Sequence, residues 1–175
     1  MTTVSLSKKE LLALDHQALE ANLIQISLEL LRHKHRLVTA ESCTGGMVAA
    51  ACTDLAGASD WFDRGFVTYS DVAKTDMLSV PAALIAQHGA VSEAVARAMA
   101  DGALNHSAAH VSLAVTGVAG PGGGSDAKPV GTVWFAWCVA GETHSEMQHF
   151  AGDRTAIRAS AVRYALQRLL GFLVG

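Results

Sequence analysis

The sequence predicts an α/β domain of three layers, α/β/α, around a mixed β-sheet. Three observations predict it. Short apolar, β-branched runs alternate with helical segments along most of the chain, the pattern of helices packed on both faces of a sheet. Two late strands follow one another through Ala140-Gly141-Glu142, a turn that makes them an antiparallel pair and the sheet mixed. The 175 residues contain no internal repeat and no inter-domain linker, so a single domain is expected.

The elements follow in order. Ser7 and Glu10 have capping-box spacing and open a helix. Ala21, Ile24, Leu28 and Leu31 continue at helical spacing, and His33 to His35 end it. Leu37-Val38-Thr39-Ala40 reads as a buried strand. Thr44-Gly45-Gly46 then turns the chain into an Ala-rich helix through Cys52. Gly65 to Tyr69 reads as a second strand, and Ser70 caps a short helix toward Met77. Pro81 suits the first turn of the next helix and Gly89 its end. Ser92 and Glu93 open a helix to Leu104, and Val111 to Val115 is a third strand. Thr132 to Val139 is apolar on both faces, a central strand, and Thr143 to Phe150 is its more polar partner near the sheet edge. Asp153 caps the last helix, whose apolar stripe is Val162, Ala165, Leu166, Leu169 and Leu173. Residues 1–18 are expected to form a helical extension and residues 19–175 the domain itself.

Composition excludes several classes. Half the residues are hydrophobic and 17% are charged, which argues against disorder. The net charge is -3 and the 13 basic residues are scattered, so no nucleic-acid footprint is expected. The segment MTTVSLSKKELLAL does not have the pattern of a signal peptide, so none is expected, and no apolar run is long enough to span a bilayer. Cys43, Cys52 and Cys138 form no CxxC pair, which fits a reducing cytoplasm. The apolar end Phe172-Leu173-Val174 predicts a partner that covers it, a homodimer being the commonest solution.

Three segments carry chemistry. Glu41-Ser42-Cys43-Thr44-Gly45-Gly46 joins a strand to a helix N-terminus, where unpaired N–H groups favour a phosphate or an oxyanion. Ser and Thr also cap helices, and Gly makes turns, so this turn alone does not decide between chemistry and capping. Thr116-Gly117-Val118-Ala119-Gly120-Pro121-Gly122-Gly123-Gly124-Ser125 follows a buried strand and suits an anion-binding nest. It is neither a Walker loop nor the dinucleotide fingerprint, since Gly-Lys-Ser/Thr is missing and Ser125 stands at the last glycine. Thr68-Tyr69-Ser70 with Lys74 supplies groups that can act as a base when burial lowers their pKa. The histidine pairs His106/His110 and His33/His35 lack companions at ligand spacing, so no metal is expected. The G-x-S-x-G elbow of Ser-His-Asp hydrolases is absent around Ser42.

The motifs TAESCTGG, GFVTYSDVAK, HGAVSEAVARAMADGA, AVTGVAGPGGGSDAKPVGTVWFA and FAGDRTAIR, in this order, resemble the CinA C-terminal domain family. The match runs from about Leu19 to Leu170, and all the motifs in order are specific where each alone is weak. The resemblance implies an α/β/α fold and nicotinamide-nucleotide amidohydrolase activity. Such an enzyme converts nicotinamide mononucleotide to nicotinic acid mononucleotide and ammonia, in pyridine-nucleotide recycling. A stand-alone form is expected, since only a short helix precedes the match.

By motif, the resemblance makes Ser42 the nucleophile and carries over Tyr69, Lys74 and Thr116 as catalytic residues. Lys74, supported by Tyr69, would take the serine proton, and N–H groups of the Ser42 turn with Thr116 would hold the oxyanion. Thr44, Gly45, Gly46, Gly117, Gly120, Gly122 and Gly123, with Arg154 or Arg158, would bind substrate and its 5′-phosphate. Which loop takes the phosphate stays open. The pyridinium charge activates the amide, so neither metal nor cofactor is expected. Two rivals stand beside this reading. One is a non-catalytic interaction domain linked to competence or DNA damage. The other is a thiol enzyme using Cys43, which would need a cation or histidine beside the sulfur.

Overall fold

The computed structural model describes residues 8–175, with side chains from Asp15 onward. The Ser7–Glu10 capping box lies outside the described residues. The elements are α1 (Lys8–His33), β1 (Leu37–Glu41), α2 (Met47–Thr53), β2 (Phe62–Val67), α3 (Asp71–Leu78), α4 (Ala82–His88), α5 (Glu93–Asn105), β3 (Val111–Gly117), β4 (Thr132–Val139), β5 (Glu142–His149) and α6 (Arg154–Val174). The expected boundary between residues 18 and 19 falls inside α1, which is one continuous helix.

The five strands form one sheet in the order β2-β1-β3-β4-β5. β1 pairs parallel with both β2 and β3, while β3–β4 and β4–β5 are antiparallel. The sheet is mixed, as the sequence predicts. Chain polarity explains its two layers of helices. Along β3 and β4, Val111, Leu113, Val115, Val133, Phe135 and Trp137 meet α1, α2 and α6 in one core. Val38, Ala40, Ala114 and Ala136 meet the helices α3, α4 and α5 in the other. Successive residues of a strand point to opposite faces, so one strand serves both cores. The small alanines let α5 lie close to the sheet, while Phe135 and Trp137 fill the deeper face. Trp137 also donates its indole N–H to the Ala165 carbonyl at 3.0 Å, which fixes α6 over β4.

Local signals set the element ends. Ser70, Ser92 and Asp153 each accept a backbone N–H three residues on, from Ala73, Val95 and Ala156, and so start α3, α5 and α6. The β4–β5 hairpin has the two-residue loop Ala140-Gly141, both at positive φ (53° and 83°), as a tight hairpin requires.

Three expectations need correction. The second strand is Phe62–Val67, not Gly65 to Tyr69. β2 is an edge strand whose Asp63 and Arg64 pair with each other, and an edge tolerates charges that hide it in the sequence. Thr68 lies just past its end, its N–H still bonded to the Glu41 carbonyl at 2.8 Å. On α1, Ile24, Leu28 and Leu31 are exposed, and the face packed on the core is Leu23, Ile26, Ser27 and Leu30. At the C-terminus, Phe172 packs on Trp137 and stacks on His144, with the Arg168 guanidinium over its ring. The chain itself covers that part of the end, and Val174 remains exposed.

Both neighbours of β1 run parallel to it, and the chain leaves β1 in one direction for β2 and returns on the other side as β3. The crevice at the C-terminal ends of β1 and β3 is therefore a topological switch point, where open α/β sheets take ligands.

Candidate active site

β1 ends at Glu41 and the chain turns through Ser42 to Gly46 before α2 begins. Gly45 and Gly46 take φ of 60° and 94°, which a side chain would strain. The Glu41 side chain is buried on the α2 face. Its Oε2 accepts the N–H groups of Gly46 and Val48, both at 3.0 Å, and its Oε1 accepts that of Ala49 at 2.8 Å. Ser42, one residue on, is directed to the opposite face. Its N–H bonds the Val115 carbonyl, which ties the turn to β3 beside Thr116.

That opposite face carries Lys74. α3 starts at the Ser70 cap and buries Lys74 to 1% exposure. The Nζ lies 3.2 Å from Ser42 Oγ and donates to the Thr68 carbonyl at 3.0 Å. Lys74 takes part in no ion pair among the described residues. Burial pushes its pKa below the ordinary lysine value, and the nearby Asp71 carboxylate opposes that only in part. An amine so placed is poised to lose its proton and accept one from the serine hydroxyl.

Cys43 points into the core shared with α6. Burial raises its thiol to about 11, so it is protonated at neutral pH and away from Lys74's face. The cation that thiol chemistry needs is directed instead at backbone. Arg158 donates from Nε to the Cys43 carbonyl at 3.0 Å and from Nη2 to the Thr44 carbonyl at 2.9 Å.

The other expected residues gather around the same strand ends, with partners of their own. Thr116 is buried and its hydroxyl donates to the Ala90 carbonyl at 2.8 Å. Tyr69 is 58% exposed and its hydroxyl accepts from Arg154 at 2.8 Å, whereas Lys74 bonds Ser42 and Thr68. Arg154 also donates to the Gly120 carbonyl at 2.9 Å, so it joins the α6 start, the glycine loop and Tyr69. Lys128, at the far end of that loop, donates to the His88 carbonyl at 2.8 Å. Gly117 packs against Val133 and Gly120 against Val130, while Gly122 and Gly123 are exposed. Ser42 and Lys74 are thus brought into direct contact, Arg158 holds the carbonyls of the Ser42 turn, and Thr116 and Arg154 bond other partners. Glu41 and Thr68 are the contacts that sequence reasoning passed over, although both stand inside quoted motifs.

Among the described residues no group of three or more His, Cys, Asp or Glu is placed to hold a metal. No described helix is long and apolar enough to cross a membrane. A groove of about 360 Å³ lies between α1, α2 and α6, with Leu19, Met47, Ala51 and Val162 in its lining. None of its lining residues is a serine, threonine, cysteine or lysine, so it offers no nucleophile.

The class that fold and site define is a three-layer α/β/α domain with a serine–lysine pair at the switch point of its sheet. Residues 16–173 match the family described as the CinA C-terminal domain. The chain belongs to that family. It is similar to the nicotinamide-nucleotide amidohydrolase PncC of Escherichia coli K12, 55% identical over 134 residues, 76% of this chain and 81% of the relative. The protein of the same name from Pseudomonas putida is 52% identical, over 81% of this chain and 88% of its own length. A CinA-like protein of Akkermansia muciniphila is 53% identical over 77% of this chain, which spans only 33% of that longer relative. Among solved structures, a CinA superfamily protein from Escherichia coli superposes with a TM-score of 0.85 at 42% identity, over 97% of this chain and 94% of that one. The competence/damage inducible protein CihA from Agrobacterium tumefaciens does so at 0.85 and 44% identity, over 89% and 95%.

Proposed function

We propose that this chain is a nicotinamide-nucleotide amidohydrolase that deamidates nicotinamide mononucleotide through Ser42. The 3.2 Å approach of Lys74 Nζ to Ser42 Oγ carries the reading. Relatives bearing the amidohydrolase name at 49 to 55% identity support the substrate class.

The mechanism uses this chain's own groups. Neutral Lys74 takes the Ser42 proton as Oγ bonds to the carboxamide carbon. The carbonyl oxygen becomes an oxyanion. The N–H groups of Cys43 and Thr44 are the donors for it, since no backbone carbonyl among the described residues takes either. Protonated Lys74 then gives its proton to the leaving nitrogen, the C–N bond breaks, and ammonia departs. Water attacks the acyl-serine with Lys74 again as base, and the acid leaves with Ser42 restored. Thr116 directs its proton to Ala90, so it holds the segment before α5 and offers substrate a lone pair. The 5′-phosphate belongs to the glycine loop, where no backbone carbonyl among the described residues takes the N–H groups of Ala119, Gly120, Gly122, Gly123 and Gly124, together with Arg154.

We further propose a cytoplasmic homodimer. Three buried free thiols fit a reducing compartment, and the exposed Ile24, Leu28 and Leu31 on α1 give a second copy an apolar face. Light scattering across a concentration range reads the assembly, and a monomer throughout would exclude it.

The test of function is ammonia release from nicotinamide mononucleotide by purified protein in excess EDTA. Stoichiometric ammonia and nicotinic acid mononucleotide are expected. No release, or release lost in EDTA and restored by zinc, overturns the proposal.

A further inference from the structure

We infer that Glu41 and Arg158 are positioning residues that together aim the two oxyanion-binding N–H groups, and that neither touches substrate. The inference rests on the serine mechanism proposed above and concerns how its turn is held.

Glu41 and Ser42 are consecutive, so the strand sends one side chain to each face. Ser42 meets Lys74 on the α3 face, and Glu41 meets α2 on the other. The Glu41 carboxylate takes three N–H groups of the incoming helix and is 1% exposed. Backbone acceptors take the rest: Ser42 N–H bonds Val115, Gly45 N–H bonds Ser42, and Met47 N–H bonds Thr44. Among the described residues, from Ser42 to Ala49 only the Cys43 and Thr44 N–H groups are therefore taken by neither a backbone carbonyl nor the Glu41 carboxylate; Ala50 bonds Gly46.

The carbonyls fix where those two groups point. In a trans peptide the N–H is directed opposite to the C=O of the same unit. The Thr44 N–H shares its unit with the Cys43 carbonyl, which Arg158 Nε holds at 3.0 Å. The Cys43 N–H shares its unit with the Ser42 carbonyl, which Gly45 N–H holds at 3.0 Å. Gly45 is in turn hemmed by Arg158, since a Cβ there would lie 3.4 Å from its Nη2. Glu41 anchors the helix end of the turn and Arg158 the carbonyl side, which leaves the Thr44 N–H facing away from Arg158 and the Cys43 N–H facing away from Gly45.

A buried carboxylate already occupies the positive end of the α2 dipole, so an anionic phosphate is not accommodated there. The turn receives a neutral amide that acquires negative charge only as Ser42 attacks. Substrate anions are left to the glycine loop and Arg154.

Glu41→Gln and Arg158→Lys test this, with Arg154→Ala as the contrast. In Glu41→Gln an amide N–H₂ replaces one acceptor oxygen and confronts an α2 donor. Turnover of nicotinamide mononucleotide should fall about 100-fold, the scale of a misplaced catalytic geometry, with KM within about threefold. Arg158→Lys can reach one carbonyl and should lose kcat to a smaller extent, again with KM nearly unchanged. The acid limb of the kcat profile, set by Lys74, should stay where it is in both. Amide ¹H–¹⁵N shifts of Gly46, Val48 and Ala49 should move in Glu41→Gln, and those of Cys43 and Thr44 in Arg158→Lys. A loss confined to KM, or full kcat in a folded variant, overturns the inference. If Glu41→Gln does not fold, Arg158→Lys decides. If the wild type releases no ammonia, the functional reading fails, while the amide shifts still judge the hydrogen bonds.

Discussion

Lys74 Nζ sits 3.2 Å from Ser42 Oγ with the Thr68 carbonyl 3.0 Å away as its second contact. The two residues come from different layers of the molecule, one at the end of β1 and the other on α3. Their meeting depends on strand alternation, which turns Ser42 and not Cys43 toward α3. A lysine buried to this extent with no ion pair among the described residues is costly as an ammonium, and that cost is what makes it useful as a base.

Ser42→Ala and Cys43→Ala, measured side by side, separate the two possible nucleophiles. The serine variant should lose activity by about 10⁴-fold or more, as deletion of a nucleophile does, while still binding nucleotide. The cysteine variant should keep most of its turnover, because its thiol is raised to about 11 and has no base beside it. Steady-state ammonia assays read both. An active serine variant with a dead cysteine variant would reverse the assignment.

Lys74→Met should abolish turnover near neutrality yet make the fold more stable. The sign follows from burial, which lowers the folded-state pKa of Lys74 below its unfolded value. Between those two values the unfolded chain binds the extra proton, so wild-type stability rises with pH there. Below the folded-state pKa the buried ammonium is a penalty at every pH, and methionine removes it. A higher Tm for Lys74→Met at pH 7, with the gap closing toward alkaline pH, is the expected result. The kcat profile of the wild type should show an acid limb below the ordinary lysine range. A Tm equal to or below wild type at pH 7 would show that Lys74 is no liability to the fold.

Arg154→Ala removes the link between Gly120 and Tyr69. Loss of charge-assisted bonds at a binding loop should raise KM for the mononucleotide about 10-fold or more, with a smaller effect on kcat. Tyr69→Phe should do less, since it deletes one acceptor and leaves the arginine. Initial-rate kinetics check both, and a pure kcat effect for Arg154→Ala would place it in the chemistry instead.

Gly102→Ala probes how α3 is held. A Cβ at Gly102 would stand 2.1 Å from the Leu78 carbonyl oxygen, so α5 and α3 cannot both stay in place. The expected cost is about 1–3 kcal/mol of stability, as for other overpacked sites. Because α3 also carries Lys74, activity should fall further than the folded fraction explains. Denaturant unfolding and kinetics on the same sample measure the two effects, and an unchanged midpoint would contradict the close approach.

Much of this architecture is legible in the chain. Ser70, Ser92 and Asp153 announce their helices because capping is a local matter of one side chain and one N–H. β4 is legible because it is apolar from Val133 to Val139. β2 is harder, since an edge strand keeps Asp63 and Arg64 in its middle. The α1 stripe misleads because Ile24, Leu28 and Leu31 have helical spacing on the outward face, and periodicity says nothing about which side meets a core. At the site, motif order points to Ser42 and Lys74. The contacts of Arg158 with Cys43 and Thr44, and of Thr116 with Ala90, span 115, 114 and 26 residues of chain. Such partners are set by packing, and no local pattern records them.

Cys43, Cys52 and Cys138 are all buried, and none is paired. Cys43 and Cys52 lie in the layer between α2, α6 and the sheet, on the far side from Lys74. A thiol-directed reagent therefore reaches them only when that layer parts from the strands. Its labelling rate becomes a clock for local opening of the domain, running independently of substrate chemistry. Nucleotide held across the glycine loop and the start of α6 should slow that clock, so an alkylating probe can report occupancy of the crevice without any ammonia being released.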